Sequence, residues 1–146
     1  MRLLKFLDEL ADHVRAQVND ETQVRVVGSG VRRAVEVAPG NAKACGFTVF
    51  PQDADELTIE FGEMSILDFV DESPEELFLA CREVVDAIIA GKVSEVVYLK
   101  GVVPVRAVAR LGLPDRVMTA HTLQGFSVFS RSGRTVQYEP YPAATT

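Results

Sequence analysis

Residues 73–91 read SPEELFLACREVVDAIIAG, and this stretch decides the fold. Ser73 is an N-cap residue, Pro74 stands at the first helical position, and Glu76 completes an S-x-x-E capping box. Leu77, Phe78, Cys81, Val84, Val85, Ile88 and Ile89 then recur at the spacing of one helix face, and Gly91 supplies the stop. The spacing predicts a helix over 74–90 whose apolar stripe is wide enough to lie on a sheet. Short alternating segments flank it on both sides, so the helix sits between two groups of strands.

Upstream, Leu3, Leu4, Leu7, Leu10, Ala11, Val14 and Val18 mark one face of a second helix, over about 3–18. Strand patterns follow at 23–27 and 31–37, joined by Gly28-Ser29-Gly30, and then at 47–50, closed by Pro51. Leu57, Ile59 and Phe61 alternate with Thr58 and Glu60, the period of a half-buried strand. Gly62 marks a bulge or turn before 64–70. Downstream, strands are expected at 95–99, 103–110 and 116–122. A second hairpin is expected from 126–130 and 135–139 around Arg131-Ser132-Gly133-Arg134. In 103–110, Val103, Val105, Ala107 and Ala109 face one way, while Arg106 and Arg110 face the other. The expected class is α+β, a mainly antiparallel sheet with both helices on one face, in the order α-β-β-β-β-α-β-β-β-β. Residues 1–139 are read as a single α+β domain. Residues 140–146, with two prolines and no apolar period, are expected to fray.

Charge is distributed unevenly. From Ala44 to Cys81 there is no Lys or Arg, against ten carboxylates: Asp53, Asp55, Glu56, Glu60, Glu63, Asp68, Asp71, Glu72, Glu75 and Glu76. Residues 92–146 have the opposite bias, with seven Lys and Arg against three Asp and Glu. A formal net charge of −6 argues against nucleic-acid binding, which needs clustered cations, and against adsorption to anionic membranes. At 47% hydrophobic and 25% charged residues the chain has the composition of a folded domain rather than a disordered one. No apolar run approaches the length of a bilayer span. Asp8, Glu9 and Asp12 interrupt the first residues where a secretory signal needs an apolar core. With two cysteines only, Cys45 and Cys81, free thiols and a reducing, cytoplasmic setting are expected.

Gly28-Ser29-Gly30 lacks the further glycine, the Lys-Ser/Thr ending and the following helix of a phosphate loop, so it reads as a turn. His13 and His121, the only histidines, have no His or Cys at zinc-ligand spacing and no G-x-S-x-G nucleophile in company. Structural or solvated roles are expected for both. Asp53-x-Asp55-Glu56 is like a fragment of a calcium loop, but position six is not Gly and position twelve is Met64 rather than Glu. No metal site and no cofactor are expected.

The carboxylate block is the one functional candidate. Glu75 and Glu76 fit a helix first turn, where negative charge is favoured. The remainder, with Phe61, Met64, Leu67 and Phe69 interleaved, suits a docking face with apolar anchors and an acidic rim. The expected binding residues are Asp53, Asp55, Glu56, Glu60, Glu63, Met64, Asp68, Asp71 and Glu72, and the expected partner is a basic protein. In size and charge alone the chain is similar to bacterial immunity proteins, which plug basic toxins. The alternative is a small enzyme or metal-binding protein using the same carboxylates. A third reading is a homo-oligomer joined through oppositely charged segments.

Overall fold

In the computed structural model, residues 2–70, 73–123 and 132–144 are described. Helix α1 (Arg2–Arg15) leads into β1 (Gln23–Val27), β2 (Ala34–Ala38), β3 (Phe47–Asp53), β4 (Glu56–Phe61) and β5 (Ser65–Val70). Helix α2 (Pro74–Ile89) follows, then β6 (Val93–Lys100), β7 (Val103–Gly112), β8 (Val117–Leu123) and β9 (Ser132–Gln137). The strands form two antiparallel sheets, β1-β2-β3-β4-β5 and β8-β7-β6-β9. The α+β class is as expected. Five strands rather than four precede α2, because Gly62, at φ +66°, makes a full turn between β4 and β5.

The α2 sequence signals act as read. The Ser73 hydroxyl accepts the Glu76 N–H at 3.4 Å, with Pro74 in the first turn. At the other end Gly91 takes φ +74°. The Lys92 N–H then reaches the Ala87 carbonyl at 2.9 Å and the Gly91 N–H reaches Ile88 at 3.1 Å, a Schellman closure. Leu77, Val84 and Ile88 are buried against β4, β5 and β7. Helix α1 covers β1, β2 and β3 with Leu3, Phe6, Leu7, Leu10, Ala11 and Val14. Phe6, absent from the predicted stripe, stacks on Phe78 with ring centroids 4.2 Å apart and joins the helices. His13 joins the two helices as well, bonded to Asp86 of α2 at 2.7 Å. Both helices therefore lie on the inner face of the five-stranded sheet, over Val35, Val49, Leu57 and Ile59. Each such side chain, fully buried, contributes about 1.5–3 kcal/mol of transfer free energy.

The strand boundaries differ from the sequence reading in instructive ways. β1 and β2 pair as expected, but Gly30–Arg32 forms a 3-10 turn, so β2 starts at Ala34. β3 runs through Pro51, whose ring is buried opposite Leu57 just before a register shift, a place where its missing N–H is tolerated. Ser132, Gly133 and Arg134 belong to strand β9 and not to a turn; Gly133 lies opposite Tyr98, where an added Cβ would stand 3.2 Å from the ring. The expected strand 126–130 lies outside the described residues. Val103 is exposed, because the register shifts at Tyr98/Leu99 before the strand ends.

The end of the chain also departs from expectation. Tyr141 is buried and its hydroxyl donates to the Cys45 carbonyl. The Tyr141 N–H bonds to Ile89 at 2.9 Å, and Ala143 bridges to Val18. An isolated aromatic is enough to anchor a segment without periodicity, which is why the pattern gave no sign of it. Residues 145–146 lie outside the described residues. Among the described residues no helix is long and apolar enough to cross a membrane.

Candidate docking groove

Alternation along the five-stranded sheet divides its residues between the helix-covered face and an uncovered one. On the uncovered face, cross-strand register aligns Arg25, Glu36, Thr48, Glu60 and Ile66 in one row across all five strands. Arg25 and Glu36 pair at 3.2 Å. At the β5 end of the row the second sheet abuts the first, and the Ile66 N–H donates to Thr122 Oγ1 of β8 at 3.0 Å. A groove of about 580 Å³ runs along this row. Glu36, Glu60 and Glu63 supply its carboxylates, and Met64, Ile66 and Leu123 its apolar surface. Leu123 is 68% exposed and Ile66 41%, high for aliphatic side chains. Glu63 is bonded to Arg134 of β9. Among the described residues Glu60 has no Lys or Arg within ion-pair distance.

The floor of the groove at the β4–β5 turn is held by Glu95, which is wholly buried. Its carboxylate accepts the Glu63 N–H at 2.9 Å, the Met64 N–H at 3.1 Å, the Ser65 hydroxyl at 2.6 Å and the Tyr138 hydroxyl at 2.6 Å. A carboxylate has about four lone-pair sites, and four donors fill them. Burial of such a group is tolerated only with this degree of pairing. Gly62 permits the approach: a Cβ there would stand 2.4 Å from Glu95 Oε1. Burial and the Glu95 hydrogen bond push the Tyr138 phenol well above its ordinary value. Burial, with the Glu95 charge adding to it, pushes the Cys45 thiol up to about 12. Cys81 is pushed to about 12 by burial. Both cysteines are free, and neither has the thiolate character of a nucleophile.

The predicted acidic residues are thus divided in space. Glu60, Glu63 and Met64 line the groove. Asp53, Asp55 and Glu56 stand at the β3–β4 turn, the far end of β4, where Asp53 accepts the Ala54 N–H at 2.7 Å. Asp68 lies on the open sheet face and accepts the Thr58 hydroxyl at 2.6 Å. Asp71 and Glu72 are outside the described residues. His121 is exposed on the second sheet. Sequence reasoning did not identify Arg25, Glu36, Thr122, Leu123 or Glu95. Glu95 alone carried a local signal, since it shares a strand face with Val93 and Val97. Among the described residues no group of three or more His, Cys, Asp or Glu side chains is arranged to hold a metal ion. No protein-family model matches the chain, and no curated protein or solved structure is significantly similar to it.

Proposed function

We propose that this chain is a protein-binding module that docks a basic, partly apolar segment in the groove between the β4–β5 turn and β8. The observation that carries the reading is the lining itself: Glu36, Glu60 and Glu63 outnumber its one cation, Arg25, beside Met64, Ile66 and Leu123, on a face covered by neither helix. An apolar anchor surrounded by charge gives affinity at the centre and steering at the rim. The charge asymmetry supports the same reading, since Ala44 to Cys81 contributes ten carboxylates and no Lys or Arg, and Arg25 and Arg134 are each already paired with a groove carboxylate. Asp53, Asp55, Glu56 and Asp68 extend the negative field along β4 and β5 without forming part of the groove. Glu95 serves as a positioning residue, holding the backbone of Glu63 and Met64 in place.

Selection of peptides from a random displayed library against the immobilised protein tests this directly. The binders should combine Lys or Arg with an aliphatic residue, and both Glu60→Lys and Ile66→Asp should abolish their capture. Binders without basic residues, or binders indifferent to both substitutions, would overturn the reading.

A further inference from the structure

Among the described residues no helix lies on the outer face of the second sheet, and the chemistry of that face is the reverse of the groove's. Register places three rows on it: Gln137, Ser94, Arg110 and Thr119; Thr135, Val96, Val108 and His121; Gly133, Tyr98, Arg106 and Leu123. None of these residues is acidic, in a chain whose formal charge is −6. Arg106 and Arg110 are exposed, and among the described residues neither has a carboxylate within ion-pair distance. Arg106 instead lies over the Tyr98 ring, 5.1 Å from its centroid. Val96 and Val108 are half-buried between the rows. This is a basic platform with an apolar and aromatic middle.

The same chain carries its complement. On β4, Glu56 and Glu60 point to the face of the first sheet away from the helices, Glu60 exposed and Glu56 half-buried, on either side of the buried Thr58. On β7, Arg106 and Arg110 point to the open face of the second with Val108 between them. Residues four apart in a strand stand about 13 Å apart, so the two acids and the two arginines have one spacing. All four lack an ion-pair partner within the molecule among the described residues. A long polyanion would meet the negative field of the rest of the chain, whereas the matched strand needs only a second copy.

We infer that the outer face of the β8-β7-β6-β9 sheet is a docking surface for the acidic β4–β5 face of a second copy of this chain. The contact is head-to-tail, so an open assembly keeps one free face of each sign at its ends and grows as a chain or closes as a ring. It rests on the preceding reading to the extent that the acidic face is a docking face, and it occupies that face when the concentration of the chain is high.

Sedimentation at low and high salt tests it, using two charge-reversed forms. Glu56→Arg with Glu60→Arg makes both faces basic; Arg106→Glu with Arg110→Glu makes both acidic. The wild type should associate with rising concentration at low salt and dissociate at high salt. Each variant alone should stay monomeric, and an equimolar mixture should associate again. The neutral Arg106→Gln, Arg110→Gln form, checked for an unchanged thermal melt, should lose self-association, associate with the Glu56→Arg, Glu60→Arg form, and fail to associate with the Arg106→Glu, Arg110→Glu form. A wild type that remains monomeric at low salt, or variants whose mixture does not associate, would overturn the inference. So would a labelled single-stranded oligonucleotide or an acidic peptide that binds Arg106 and Arg110 while the chain itself stays monomeric. If the wild type is monomeric and groove-binding peptides are still captured, this proposal falls and the preceding one stands.

Discussion

Glu95 joins a strand of the second sheet to the turn that shapes the groove on the first. Replacing it with Ala removes the acceptor and leaves two hydroxyls and two backbone N–H groups without their partner. Each buried donor left unsatisfied costs about 1–3 kcal/mol, so the variant should lose at least that much stability, and a urea titration measures it. A loss within the error of the titration would mean that water replaces the carboxylate at no cost. The buried thiols give a second expectation. Cys45 and Cys81 are held near 12 in the folded chain against 9.0 when free. A raised value means that the unfolded chain releases the proton first, so stability is intact below about pH 9 and declines as pH climbs toward 12. The melting temperature should fall across that window, and less steeply in Cys81→Ala; an equal slope in the two proteins would contradict this. Iodoacetamide at pH 8 should label neither native cysteine. At this scale the sequence was partly legible. Val93-x-Glu95-x-Val97 shows that the carboxylate points inward. Its partners Ser65 and Tyr138 are 30 and 43 residues away, and no local pattern connects them.

Elements bounded by strong local chemistry were the most readable. Helix α2 has its cap, its proline, its stripe and its glycine, and each fixes one boundary. Ile88→Ala should cost about 2–5 kcal/mol as a core truncation, and Ser73→Ala about 0.5–2 kcal/mol through its cap. Thermal melts decide both, and an unchanged Ile88→Ala melt would contradict the burial of that face. The segment after β9 was unreadable for the opposite reason. Beyond Glu139 its buried side chain is Tyr141, set beside Phe47 and bonded to Cys45, and its backbone bonds to Asn19, Ile89 and Gln17. Tyr141→Ala should destabilise by about 3–5 kcal/mol, by analogy with other large aromatic truncations; a loss below about 1 kcal/mol would show that the segment contributes little. Pro51 misled the strand reading, and Gly62 left it open. A proline stayed inside a strand at a register shift, and of the two readings open for Gly62, bulge or turn, the structure has the turn, at φ +66°.

Across the whole molecule the acidic block is continuous in sequence but divided in space, because β4 carries its acids to two turns at opposite ends. The sequence revealed the bias and the residues bearing it, yet not the groove. Glu36 and Arg25 come from strands outside the block, and Leu123 from the second sheet. Those contributions arise from register and from the meeting of β5 with β8, both long-range properties. The uneven charge then becomes a molecule with one acidic open face and one basic open face. On the proposed function, the acidic face takes a basic segment at the groove. The most direct measurement is the backbone amide spectrum of the labelled protein titrated with a selected basic peptide. The account predicts shifts concentrated at Glu36, Thr48, Glu60, residues 62–66, Thr122 and Leu123, shrinking as salt rises. Shifts centred on Arg106 and Arg110, or on the β3–β4 turn with the groove unmoved, would contradict it.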